Sequence, residues 1–189
     1  MLSAAMTGSE VGASVYSKVL LRFSHNAFGM VPTTEPSVKK SDTFGPMTPL
    51  DLIRTPPRAP REQLAGLVML PRMIDIARAR LPGGAIGDYQ IGRGMSGVVL
   101  KHFRLSADEF TGIVAQAADD DEVLSRIPGG LGRADHSKLS SRLMGLTVAD
   151  VPDDLRPEFQ AFYGKNLPAD RLVLDVLEED DARSFPRKG

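Results

Sequence analysis

The sequence predicts an all-α domain, a compact bundle of about six helices with a glycine-rich loop, preceded by a disordered extension. Three observations lead there. Apolar residues from Leu64 to Leu81 recur at three- and four-residue spacing, the period of a helix with one buried face. Helix start and stop signals repeat after residue 100. Strand signals are short and few, with Gln90-Ile91 and Val98-Val99 the best of them. A chain of 189 residues, 42% hydrophobic and 25% charged, has the ordinary globular mixture and the length to bury a core.

Residues 1–46 read as a poorly structured N-terminal extension, and residues 47–189 as one helical domain. Val11 to Met30 carries Ser14, Ser17, Lys18, Arg22 and Ser24 with few acids, a faint likeness to an organellar leader; a short tail helix or unstructured leader is the favoured explanation. Pro32, Pro36, Pro46, Pro49, Pro56, Pro57 and Pro60 exclude regular helix or central strand, so Pro32 to Pro60 reads as a linker. Met47 stands where folded-looking sequence begins, so the extension is open to being an artefact of start-site assignment. Pro57-Arg58-Ala59-Pro60 fits a PxxP pattern, although a rigid approach to the next helix is the commoner reason for it.

The spacing predicts a first helix over Arg61 to Leu81, kinked or restarted at Pro71 and stopped by Pro82-Gly83-Gly84. Ser106 and Glu109 form a capping box ahead of a helix over 107–117. Asp119-Asp120-Asp121-Glu122 suits the positive end of another helix, which Pro128-Gly129-Gly130 ends. Weaker helical patterns cover Ser137 to Met144, Pro157 to Tyr163 and Asp170 to Leu177. The acids Glu178 to Asp181 would oppose a helix C-terminus, so the last helix is expected to end near Leu177.

The absence of cysteine excludes disulfides, thiolate metal sites and a cysteine nucleophile. A net charge of −1 argues against nucleic acid as a partner, and no apolar run is long enough to span a bilayer. The charge is uneven. Residues 47–118 hold 9 basic and 6 acidic side chains, a balance of +3, while 119–189 hold 10 and 15, a balance of −5. Such halves steer each other, either inside one fold or across a homodimer.

Gly92-Arg93-Gly94-Met95-Ser96-Gly97 is a literal G-x-G-x-x-G. A kinase loop would need a lysine on a following strand and later H-R-D and D-F-G motifs; Lys101 comes too soon and neither motif follows. A dinucleotide site would need a strand before the glycines and an acid about 20 residues on. Asp119 lies near that distance, but helix capping already accounts for it. A flexible loop between helices is the expectation. His25, His102 and His136 are scattered without ligand spacing, so no metal site is expected and no cofactor is implied. The serines, Ser96 among them, lack a G-x-S-x-G elbow.

The best site candidates are Arg72, Asp75 and Arg78, spaced one turn apart so that each arginine can pair with the acid, together with Asp88 and Tyr89 from the next loop. The plain reading of the trio is surface reinforcement. The functional one is a charged pocket for a small molecule.

Pro56-Pro57-Arg58-Ala59-Pro60-Arg61, Leu70-Pro71-Arg72-Met73-Ile74-Asp75, Ala77-Arg78-Ala79 and Gly87-Asp88-Tyr89 resemble an uncharacterised bacterial family, domain of unknown function 5069. The similarity continues through Asp120 to Leu124 and Leu174 to Arg183, spanning roughly Thr48 to Arg183. Ile76, where relatives tend to have a basic residue, and the glycine-rich loop depart from the pattern. The resemblance implies a mainly helical bacterial cytoplasmic protein and brings no activity or catalytic residue with it. Two classes of function follow: a non-enzymatic binding or interaction module engaging a protein partner or a second copy, or a small-molecule enzyme or sensor built on Arg72, Asp75, Asp88 and Tyr89.

Overall fold

The computed structural model describes residues 47–130 and 132–186; the expectations for residues 1–46 lie outside them. Among the described residues the fold is mainly helical. A two-stranded hairpin, β1 (Gln63–Leu64) and β2 (Leu67–Val68), precedes seven helices: α1 (Leu70–Ala79), α2 (Gly94–Phe103), α3 (Ala107–Gln116), α4 (Asp120–Arg126), α5 (Arg133–Met144), α6 (Arg156–Tyr163) and α7 (Val173–Ser184). A 3-10 turn at Val148–Asp150 separates α5 from α6. No helix among the described residues is long and apolar enough to cross a membrane.

The first helix is half the expected length. Residues 61–69 form the hairpin instead, antiparallel with Gln63 opposite Val68 and Leu64 opposite Leu67. Its two turn residues, Ala65 and Gly66, have φ of 49° and 81°, the positive pair a tight hairpin turn needs. Leu64 and Leu67 stand three apart because they face each other across a two-residue turn, a spacing that imitates a helical one. α1 starts where Pro71 sits in its first turn, a position at which the missing N–H leaves no helical bond unmade. α5 holds the hairpin turn: Ser140 Oγ donates to the Gly66 carbonyl (2.6 Å) and accepts from the Val68 N–H (3.0 Å), and His136 Nδ1 lies 3.2 Å from the Ala65 carbonyl.

Residues 47–60 are no linker. Met47 N–H donates to the Ala117 carbonyl (3.0 Å), Leu52 is buried, and Leu52 and Leu50 exchange hydrogen bonds with Ala85 (2.7 and 2.9 Å), so the prolines shape an irregular strap packed on the helices. Neither Gln90-Ile91 nor Val98-Val99 is a strand. Gly94 to Gly97 is the first turn of α2, and Val98 and Val99 lie in its interior, where burial of Val99 in the core overrides β-branched preference. Ahead of it Ser96 Oγ accepts from Gly92 N–H (3.1 Å) and donates to the Arg93 carbonyl (2.8 Å). A Cβ on Gly97 would lie 2.9 Å from the Gly92 carbonyl oxygen, so glycine there serves a close backbone approach.

The capping box of α3 is present, with Glu109 accepting from Ser106 N–H (2.7 Å), and Asp119 caps α4 by accepting from Glu122 N–H (2.8 Å). The last helix runs seven residues beyond Leu177. Its acids are tolerated because arginines meet them: Arg61 binds Glu178, Arg171 and Arg183 both bind Glu179, and Arg72 binds Asp181.

Nine of the ten residues of α1 are buried. Leu70, Met73, Ile74 and Ala77 enter a main core with Val99, Phe103, Phe110, Val114, Val123, Leu143 and Leu174. Ile76 and Ala79 point into a smaller cluster with Leu52, Ile86 and Tyr89. α1 is therefore enclosed, and its charged side chains must find partners inside the protein.

Candidate functional site

Arg72 and Asp75, both buried on α1, do not pair with each other. Each is claimed by a residue distant in sequence. Asp75 accepts from Arg58 three times, from its backbone N–H (2.9 Å) and from Nε and Nη2 (3.0 Å each), and Arg78 approaches it at 3.7 Å. Arg58 also binds Asp120 at the start of α4, so one guanidinium ties the strap to two helices. Burial opposes its charged form, but the hydrogen bonds to Asp120 and Asp75 outweigh that and raise its pKa above the usual arginine value.

Arg72 grips Asp181 of α7 with both terminal nitrogens (2.6 and 3.0 Å) and lies 5.2 Å above the centre of the Tyr89 ring. It also donates to the Arg58 carbonyl (3.3 Å), which links the two networks. The Tyr89 hydroxyl donates to Asp181 (2.8 Å). Burial first, then that hydrogen bond, push its pKa well above the ordinary phenol value, so the hydroxyl is a donor committed to Asp181 and a poor proton carrier at neutral pH. Arg61 adds a third tie, binding Asp175 and Glu178 of α7.

Of the five residues expected at one site, Arg72 and Tyr89 share Asp181, and Asp75 and Arg78 share the Arg58 network. Asp88 is exposed, and among the described residues no hydrogen bond or ion pair joins it to the other four. The residues missing from the sequence reading are Arg58, Asp120 and Asp181. Arg58 stood inside the Pro-Arg-Ala-Pro pattern, and the two acids stood in runs explained by capping and solvation. Arg58, Arg61, Arg72 and Arg93 of the basic half all pair with acids of the acidic half, so charges that could serve a homodimer interface meet within one chain.

Beside this network lies an open cleft of about 810 Å³. Met47, Leu50, Leu52, Pro56 and Pro57 are among its apolar lining, and Arg58, Asp75, Arg78 and Asp119 to Asp121 are its charged lining. Arg72, Asp88 and Tyr89 do not line it. Among the described residues no group of three or more histidine, aspartate or glutamate side chains is placed to hold a metal ion.

No curated protein matches this chain. Similarity to a known family reaches Arg58, Arg72, Asp75, Arg78, Asp88, Tyr89 and Asp120 but stops before α6 and α7, so it is shorter than the span to Arg183 expected from the sequence and leaves Asp181 outside. Residues 54–141 match the family described as Domain of unknown function (DUF5069), the family that the sequence resembles.

Proposed function

We propose that the domain is a non-enzymatic binding module whose cleft takes a small ligand with an apolar part and a positively charged group. The observation carrying this reading is the cleft itself. Its volume, about 810 Å³, falls in the range of ligand sites, and it sets apolar residues against a few convergent charges. Four carboxylates line it against two arginines, and both arginines already engage Asp75, so the balance facing a ligand is negative. Against catalysis by the pocket of Arg72, Asp75, Asp88 and Tyr89 stands the commitment of its phenol and buried ions to one another.

A thermal-shift screen of the full chain against amines, guanidines, amino acids and nucleotides tests the proposal, because a ligand that binds only the folded protein raises its melting temperature. Organic cations are expected to give the shifts, and Asp121→Asn, an exposed change at the cleft, to weaken them. Shifts from anionic ligands alone, or none from any cation, would overturn the reading.

A further inference from the structure

A second cavity, of about 120 Å³, lies where the 3-10 turn at Val148–Asp150, α6 and the segment leading to α7 meet, and it shares no lining residue with the cleft. Its walls are fixed by backbone bonds. The N–H groups of Val148 and Ala149 donate to the carbonyls of Arg171 and Ala169 (2.8 Å each), and Gly164, at φ 110°, turns the chain at the end of α6 so that Lys165 and Leu167 come back to the cavity. Arg156 donates to the carbonyls of Val148 (3.4 Å), Ala149 (3.4 Å) and Val151 (2.8 Å). Those acceptors are neutral, so they hold the guanidinium still without cancelling its charge. The acid beside it, Asp153 at 3.3 Å, is almost fully exposed, where water weakens the pair.

The lining is one-sided in charge: Arg156 and Lys165 are basic, Gln160 is polar and neutral, and no acid is among them. Among the described residues neither the Lys165 ammonium nor the Gln160 carboxamide has a hydrogen-bond or ion-pair partner. Phe159 and Leu167 belong to the apolar lining. We propose that this cavity binds a short-chain monocarboxylate, with Lys165 and Gln160 taking the carboxylate beside the fixed charge of Arg156 and the alkyl chain lying against Phe159 and Leu167. A carboxylate meets an unpaired ammonium and a free carboxamide N–H with charge-assisted hydrogen bonds. Phosphate or sulfate, polar on every side, would press oxygens against the apolar lining with no donor to meet them. The size agrees, since a space well below the roughly 300–1,000 Å³ of sites for drug-sized ligands suits a molecule of a few heavy atoms.

The test is titration of the nitrogen-15-labelled full chain with sodium butyrate at constant ionic strength, followed by backbone and side-chain amide spectra. Saturable shifts at Gly164, Lys165 and the Gln160 carboxamide are expected, with Lys165→Gln weakening binding by about fivefold. Lys165 is exposed, so its replacement leaves the fold intact, which circular dichroism checks. Asp121→Asn, at the cleft, should leave butyrate binding unchanged, and this site and the cation reading of the cleft therefore stand or fall separately. Butylamine and butyramide, which keep the chain without the negative charge, and inorganic phosphate, which keeps the charge without the chain, should all bind more weakly than butyrate. No saturable shift at millimolar butyrate would overturn the proposal. So would any of those three binding as tightly as butyrate, shifts confined to the cleft, or butyrate binding that survives Lys165→Gln undiminished.

Discussion

α1 and the approach to α6 carry the same local signal and use it in opposite ways. Arg72 and Asp75 are three residues apart, as are Asp153 and Arg156. The second pair forms as the spacing suggests, at 3.3 Å with Asp153 almost fully exposed, and α6 has no buried residue. In α1, buried on nearly every side, the first pair does not form, and Arg72 turns to Asp181 while Asp75 takes Arg58. In water a local pair is sufficient because solvent completes its hydrogen bonds. Inside the protein each charge needs several fixed partners, and only distant segments can supply them. For the buried Arg72, burial and not spacing decides which side chain it finds, while the less buried Arg78 keeps its local neighbour Asp75 at 3.7 Å.

The contrast breaks hardest at Asp75. Asp75→Ala leaves the Arg58 backbone N–H and Nε without their acceptor and takes one of two acceptors from Nη2, and is expected to lower stability by about 3 kcal/mol, near the lower end for a broken buried pair because Arg58 keeps Asp120. Urea unfolding followed by circular dichroism measures it. A loss below 1 kcal/mol, the value of a surface pair, would put α1 in the same class as α6. Tyr89→Phe removes one hydrogen bond to a charged carboxylate and keeps the ring under Arg72, so a loss of about 1.5 kcal/mol is expected in the same assay. At the other extreme, Glu158→Gln breaks the exposed Arg93–Glu158 pair of α6 and should change stability by about 0.5 kcal/mol or less, a difference that high salt removes.

The smallest effect is visible mainly through pH. Burial, then the neighbouring charge of Asp181, raise the pKa of Asp180 above its ordinary 3.8. The folded protein thus binds this proton more readily than the unfolded chain, and the ionised carboxylate weakens the fold at neutral pH. Asp180→Asn is expected to raise the urea midpoint slightly at pH 7. The gain should fade as pH falls through the raised pKa and be gone below about 3.8, where wild type is protonated in both states. A gain that persists at low pH would mean that packing, not charge, is responsible.

What the sequence made legible was local. The Ser106–Glu109 box, the Asp119 cap and the stop at Pro128 are contacts between residues a few positions apart, and all three appear in the structure as read. The misreadings share a cause in tertiary context. Leu64, Leu67 and Val68 fit a helix by spacing, yet the positive φ of Ala65 and Met69 shapes a hairpin and its exit, and neither residue announces such a backbone. The acids of α7 looked like a helix end because the arginines that meet them were out of view, Arg61 and Arg72 lying more than a hundred residues earlier. For the same reason three of the five expected site residues were bound to partners, Arg58 and Asp181, that no local pattern selects.

The tie between the start of the hairpin segment and α7 also has a kinetic consequence. Arg61 reaches Asp175 and Glu178 across 114 and 117 residues of chain, so those bonds form only after nearly the whole domain has been gathered. Closing so long a loop is entropically demanding, and contacts of this kind belong to the end of folding, not to its nucleus. Weakening them leaves the refolding rate nearly unchanged and speeds unfolding. The two ends of the described chain thus act as a latch: they set how long the assembled domain lasts, with little say in how quickly it forms.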